Sequence, residues 1–200
     1  MIFLYFSLIF VFASLYFYWR QNNKAKLGGK ISLAKAIWLF YTIYVWFFLL
    51  PYIYFYHPIS PYTTIWVLFS LWMWIRGVIE LFMMFVTKNW TPPLGISHDI
   101  TCALLFIGTS IYWYKELADN FSWAPFIFHL SLFLSVLLET YYAYGFYKIV
   151  GEKTKGDDAV WYAGEDNKDF KFLVKLTGIC NYPLFISLFF FIYWRFDLFQ

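Results

Sequence analysis

Long apolar stretches follow one another along the chain and are separated by short polar connections. A bilayer core about 30 Å thick requires about 20 consecutive apolar residues in a helix. Six stretches approach or reach this length, at residues 2–19, 33–56, 63–86, 98–115, 125–148 and 172–195. Strict alternation of apolar and polar residues is absent, which argues against a transmembrane β-barrel. The pattern therefore predicts an all-α protein, in which residues 1–200 form a single polytopic transmembrane helical bundle.

The amino-acid composition excludes several classes of protein. Hydrophobic residues make up 62% and aromatic residues 28% of the 200-residue chain, whereas charged residues make up only 14%. A soluble domain carries about 25% charged residues and cannot bury so much apolar surface in one core. We therefore exclude a soluble globular enzyme, a disordered chain and a nucleic-acid-binding protein, and we expect membrane lipids as partners.

Few residues suit a metal or a cofactor. Cys102 and Cys180 lie in apolar stretches, which predicts neither a disulfide framework nor a thiolate metal site. The three histidines are widely spaced, and the HExxH, GxSxG and glycine-rich phosphate-binding motifs are absent. His98 and His129 are predicted near opposite membrane faces, which argues against a haem held by two histidines. We therefore expect no metal and no cofactor.

The basic residues predict the orientation in the membrane. Most of the 15 lysines and arginines lie in the connections that follow the first, third and fifth stretches. Because positive charge is retained on the cytoplasmic side, both termini are predicted to lie outside the cytoplasm. The first stretch lacks a preceding basic region and is followed by Arg20 and Lys24, so we expect a retained span and not a cleaved signal peptide.

Ionisable side chains within membrane-spanning helices are costly and mark candidate functional sites. The ionisable residues in or near the predicted spans are Arg76, Glu80, His98, Asp99 and Glu139. Asn181 adds an amide at similar depth. A helix rises about 1.5 Å per residue, and counting from the flanking polar connections places all of them in the cytoplasmic half of the bundle. Four different helices therefore contribute polar groups at one depth, which predicts a shared site.

These polar residues also have structural interpretations. Arg76 and Glu80 are spaced i,i+4, so they can form a self-neutralising pair on one helix face. Glu139 has no charged neighbour on its own helix and must pair with Arg76 or His98, hold a proton, or form a hydrogen bond that only locks the packing. Pro92 and Pro93 predict a non-helical connection, after which Ser97 or Asp99 caps the next helix.

Three segments resemble the sterol isomerase or emopamil-binding (EXPERA) family, and the resemblance covers residues 33–195. The segment Arg76-Gly77-Val78-Ile79-Glu80 resembles the family helix that carries His-x-x-x-Glu, with arginine in place of histidine. The segment His98-Asp99-Ile100-Thr101-Cys102 begins a helix where the family has an acidic residue, and Cys180-Asn181-Tyr182-Pro183-Leu184-Phe185 resembles its terminal helix. In that family a carboxylate and its partners shift a double bond by protonating one carbon and deprotonating another. Arginine opposes the carbocation of that chemistry, so a binding role or an anionic substrate suits Arg76 better.

The sequence thus predicts a membrane protein that binds or converts a lipid-like, sterol- or isoprenoid-type ligand. The expected acid/base residues are Glu80, Glu139 and His98. The expected substrate-binding residues are Arg76, Asp99, Asn181 and Trp90. A small proton-coupled transporter and a structural subunit of a membrane complex are the alternatives. The sequence leaves open whether the ligand is converted or only bound, and whether the protein is a homo-oligomer.

Overall fold

The computed structural model describes residues 2–21, 33–83, 86, 92–150 and 168–195. The described residues form helices and turns and contain no strand. The helices are α1 (Ile2–Gln21), α2 (Leu33–Tyr44), α3 (Leu50–Tyr56), α4 (Tyr62–Phe82), α5 (Pro92–Tyr112), α6 (Tyr114–Asp119), α7 (Trp123–Val150), α8 (Lys168–Ile179) and α9 (Tyr182–Arg195). A π-helical segment, Val45–Leu49, joins α2 to α3. The predicted all-α class is therefore confirmed.

Five helical stretches are long and apolar enough to cross a membrane. They cover Ile37–Tyr56, Tyr62–Ile79, Pro93–Tyr112, Trp123–Lys148 and Lys171–Phe190. Large apolar side chains on these stretches face outward, among them Phe55, Leu104 and Phe189, which are all more than 60% exposed. An apolar exterior is unfavourable in water but favourable in lipid, so these helices indicate an integral membrane protein. The apolar part of α1 covers only Ile2–Ser14 and is shorter than the other five.

The π-helical segment is explained by Pro51. Proline has no backbone N–H, so Pro51 cannot donate to a carbonyl in the preceding turn. The Leu50 N–H bonds to the Val45 carbonyl instead of continuing the α-helical pattern. The Trp46 carbonyl, which faces this gap, accepts a hydrogen bond from the Ser70 hydroxyl of α4. The irregular turn is therefore stabilised by a side chain from a neighbouring helix.

The last predicted stretch, 172–195, is broken into α8 and α9. The Asn181 N–H bonds to the Gly178 carbonyl at 3.1 Å, which is a tighter turn than an α-helix makes. The Asn181 side-chain amide donates to the Thr177 carbonyl at 3.2 Å and so replaces the missing main-chain donor. Pro183, in the first turn of α9, cannot continue the α-helical hydrogen bonding across this point.

The prediction that α5 begins near residue 98 is wrong, because α5 begins at Pro92. Proline is favoured in the first turn of a helix, where the backbone N–H groups have no intrahelical partner. Pro92 and Pro93 therefore start this helix. Ser97 and Asp99 consequently lie inside α5 and do not cap it.

The candidate site is built on α4, α5 and α7. Helix α7 packs against α5 most extensively, and it also contacts α4, α8 and α9. The chain runs in one direction along α4 and α7 and in the opposite direction along α5. Polar residues near the start of α4 and α7 therefore lie level with residues near the end of α5, and the reverse holds at the other end of the bundle.

Candidate functional site

One group of ionisable side chains joins α4, α5 and α7, and we call it the ionic cluster: Arg76, His98, Asp99 and Glu139. The Arg76 guanidinium pairs directly with the Asp99 carboxylate. Its Nη1 atom also lies 3.7 Å from Oε2 of Glu139. The sequence placed these residues at one depth, and the structure brings them into contact across three helices.

The side chains of the ionic cluster are buried to different degrees. The side chain of Asp99 is fully buried and that of Glu139 is 3% exposed, whereas that of Arg76 is 19% exposed. Gly95 lies one turn before Asp99, where an added Cβ would be 3.7 Å from Arg76 Nη2. Burying a carboxylate without a partner costs several kcal/mol, so Arg76 stabilises both acidic groups in this place.

His98 lies between two hydrogen-bond acceptors. Its Nε2 is 3.3 Å from the backbone carbonyl of Trp72, and its Nδ1 is 3.3 Å from Oδ1 of Asp99. Its ring stacks on the Trp72 indole, with the centroids 5.4 Å apart. A neutral imidazole has one N–H and can satisfy only one of these acceptors, whereas an imidazolium satisfies both. His98 can therefore donate to one of these acceptors as an imidazole or to both as an imidazolium.

The charges of the ionic cluster balance in two ways. If His98 is charged, two cations face two carboxylates. If His98 is neutral, these four side chains carry one cation and two carboxylates, and the four together reach neutrality when Glu139 holds a proton. A net charge in a low-dielectric site is costly, so both neutral arrangements are favoured over charged ones. Among the side chains described here, one proton therefore has two alternative sites, the His98 ring and the Glu139 carboxyl group.

Neutral polar groups surround Glu139 on the side away from Arg76. The Ser135 hydroxyl, one turn earlier on α7, donates to Glu139 Oε1 at 3.5 Å. The hydroxyl of Tyr41, from α2, is buried next to Ser135 and Glu139. A hydroxyl can donate to a carboxylate or accept from a carboxylic acid, so these neighbours suit both states of Glu139.

The remaining predicted site residues are placed less directly. Asn181 lies in the break between α8 and α9, where its amide donates to the Thr177 carbonyl. Glu80 lies on α4, one turn beyond Arg76, and its side chain is outside the part of the chain that the structure describes. Trp90 also lies outside the described residues. No group of three or more potential metal ligands occurs within residues 2–21, 33–83, 86, 92–150 and 168–195.

A second polar group on the same three helices was not among the predicted site residues, and we call it the His129 group: Trp66, Ser110 and His129. The Trp66 indole N–H donates to His129 Nδ1 at 3.0 Å. His129 Nε2 lies 3.0 Å from the Ser110 hydroxyl. Because indole can only donate, Nδ1 must accept, and a neutral His129 carries its hydrogen on Nε2 and donates it to Ser110. Counting residues from the ends of α4, α5 and α7 would have placed these three side chains at one depth.

Apolar side chains separate the His129 group from the ionic cluster. Arg76 follows Trp66 by ten residues on α4, and Glu139 follows His129 by ten residues on α7. At about 1.5 Å per residue, the two groups are about 15 Å apart along the bundle. The intervening side chains include Phe69, Met73, Phe106, Leu132 and Val136, each at most 4% exposed.

No family model, curated protein or solved structure matches this chain in comparisons with known proteins. The resemblance to the sterol isomerase or emopamil-binding family therefore stays a prediction.

Proposed function

We propose that this protein binds a lipid-like ligand, of the sterol or isoprenoid type, next to the ionic cluster and moves a proton to or from it. The observation that carries the proposal is the charge balance of Arg76, His98, Asp99 and Glu139, in which one proton has two alternative sites. General acid/base chemistry requires groups that hold and release a proton in place. A purely structural pair would need only one cation and one anion.

Each member of the cluster has a distinct part in this proposal. Glu139 and His98 exchange the proton, and Glu80, one turn from Arg76, is the second carboxyl group available to the ligand. Arg76 holds Asp99 and Glu139 in place, and its exposed edge suits an anionic or polar headgroup. Asp99 is buried against Arg76 and His98 and acts as a positioning residue.

We further propose that α1 is a sixth membrane-spanning helix and that both termini face away from the cytoplasm. Leu4, Ser7 and Val11 form a buried stripe on α1, and α1 packs against α2. Its other faces carry exposed apolar side chains such as Phe6 and Phe10, which suit lipid. The basic connections between the helices support this orientation, in which the ionic cluster lies in the cytoplasmic half of the bundle.

Of the two alternatives, a proton-coupled transporter requires polar groups at successive depths. Most buried side chains between the His129 group and the ionic cluster are apolar, and the hydroxyls of Ser70 and Ser131 in that interval donate to backbone carbonyls. This arrangement does not favour a continuous polar path. A structural subunit would use the ionic cluster only to hold helices together, and the spare proton site at Glu139 has no purpose in that role.

The proposal is tested by deuterium incorporation in heavy water. Purified protein in lipid nanodiscs is incubated with an unsaturated sterol or with an isoprenoid alcohol, and the recovered lipid is analysed by mass spectrometry. Proton transfer to and from carbon exchanges solvent deuterium into the lipid. We expect exchange with the wild type and its loss in Glu139→Gln and Glu80→Gln.

The matched control is Glu116→Gln, because Glu116 is an exposed carboxylate on α6, away from the cluster. It should exchange deuterium as the wild type does. Full exchange in both Glu139→Gln and Glu80→Gln would place the site elsewhere. The acid/base role would also be contradicted by a second result: the wild type shows no exchange, and all variants bind the lipid as well as the wild type does.

A further inference from the structure

A cavity of about 710 Å³ lies beside the His129 group, at the end of the bundle opposite to the ionic cluster. Its wall is formed by α5, α6 and α7 with the first turn of α4, and it is almost entirely apolar and aromatic. The apolar wall includes Phe106, Ile107, Leu117, Phe121 and Phe133. Ligand sites for small molecules are apolar cavities of about 300–1,000 Å³ with a few placed polar groups. The cavity therefore has the size and the lining of a ligand site.

The polar atoms of this cavity are hydrogen-bond donors. Trp66 donates to His129 and His129 donates to Ser110, so the Ser110 oxygen accepts and its own hydrogen remains. No acceptor for that hydrogen is found among the residues that the structure describes. The hydroxyl of Tyr62, a fully buried residue that also lines the cavity, approaches the Ser122 backbone but makes no hydrogen bond of normal geometry.

We propose that this cavity binds an uncharged lipid through a carbonyl oxygen that accepts a hydrogen bond from Ser110. The lining residues carry no formal charge with His129 neutral, so a charged headgroup would be desolvated without a partner. A carbonyl oxygen accepts without donating, and it therefore suits the Ser110 hydrogen. The hydrocarbon part of the lipid packs against the aromatic wall.

This site is separate from the ionic cluster and does not depend on the function proposed for it. Trp66, Ser110 and His129 lie about 15 Å from the cluster by helix rise. Most of the buried side chains in the interval between them are apolar. A variant of Glu139 should therefore leave binding in the cavity unchanged.

The test uses a long-chain dialkyl ketone that carries a photoreactive diazirine, and the matched alkane without the carbonyl group. The protein is labelled in detergent micelles, the adducts are mapped by mass spectrometry, and apparent affinity is measured by competition with unlabelled ketone. We expect adducts on α5, α6 and the start of α7. Ser110→Ala should weaken ketone binding about fivefold, the equivalent of one hydrogen bond, and leave alkane binding unchanged.

Thr109→Ala is the matched control, because it removes a hydroxyl from the same helix. The Thr109 hydroxyl donates to the Leu105 carbonyl and faces away from the cavity. It should bind ketone and alkane as the wild type does. Ala118→Trp, which places an indole in the cavity, should reduce labelling by both probes, and Glu139→Gln should change neither. Adducts that map outside the cavity, or equal effects of Ser110→Ala on ketone and alkane, would overturn the proposal.

Discussion

The ionic cluster and the His129 group are built on the same three helices, yet they differ in chemistry. Each takes one side chain from α4 and one from α7. Helix α5 adds Ser110 to the His129 group and both His98 and Asp99 to the ionic cluster. In the His129 group both hydrogen bonds have a fixed direction, from Trp66 to His129 and from His129 to Ser110. In the ionic cluster the charges balance in two arrangements that differ by the position of one proton. The three helices therefore carry neutral, directed hydrogen bonds at one end and a cluster with a variable charge state at the other.

The difference between the two groups follows from their residue types. Indole, imidazole and hydroxyl groups can all be satisfied without charge, so their burial costs only the ordinary desolvation of polar groups. Arginine is always charged, and it requires an anion wherever it is buried. A second carboxylate next to that pair then has to find another positive charge or a proton. This requirement makes Glu139 the most informative residue of the protein.

The largest expected effect separates the two carboxyl groups of the cluster. Asp99→Asn breaks the direct pair with Arg76 and should lower the free energy of unfolding by about 3–5 kcal/mol. In Glu139→Gln the cluster can stay neutral because His98 can give up its proton, so the loss should be smaller, about 1–2 kcal/mol. Unfolding of both variants in mixed micelles measures the difference. Equal losses would show that both carboxyl groups are permanently charged and would remove the proton from Glu139.

A smaller effect is expected at the neutral end of the bundle. His129→Phe keeps an aromatic ring but leaves the Trp66 N–H buried without an acceptor, which should cost about 1–3 kcal/mol. In a Trp66→Phe background the same substitution should cost less, because both polar partners are then absent. A double-mutant cycle of unfolding free energies gives the coupling. Additive effects would contradict the Trp66–His129 hydrogen bond.

The smallest effect is expected at Ser70, which lies between Trp66 and Arg76 on α4. Ser70→Ala removes the donor to the Trp46 carbonyl next to Pro51 and should cost about 1 kcal/mol in the same unfolding assay. Ser131→Ala is the matched control, since its hydroxyl bonds to the Phe128 carbonyl of its own helix. The control should stay close to the wild type. A Ser70→Ala variant as stable as the control would mean that the π-helical turn does not need this bond.

Hydropathy was sufficient to predict the all-α class and the five long apolar helices, and counting along them placed Arg76 and Glu139 at one depth. This works because the helix rise is constant. Counting cannot give the rotation of each helix about its axis. The direct pairing of Arg76 with Asp99 on α5 depends on that rotation.

Other features were not predicted from the sequence because one residue type can have two structural uses. Proline ends a helix in its interior but starts one in the first turn, so the prolines before His98 were assigned to a connection and Asp99 to a cap. The use of the Asn181 amide to close the break before α9 was not predicted, and its role in a ligand site stays a prediction. The His129 group escaped because tryptophan, serine and histidine are each unremarkable in an aromatic-rich helix.

The most direct test of the variable charge state is nitrogen NMR of protein labelled at histidine, since the chain has only three histidines. We expect His129 to stay neutral, with its hydrogen on Nε2. His98 should carry hydrogens on both ring nitrogens in the wild type, and this charged population should fall in Glu139→Gln, where the balancing carboxylate is gone. A His98 ring that is neutral in the wild type and insensitive to Glu139→Gln would contradict the account.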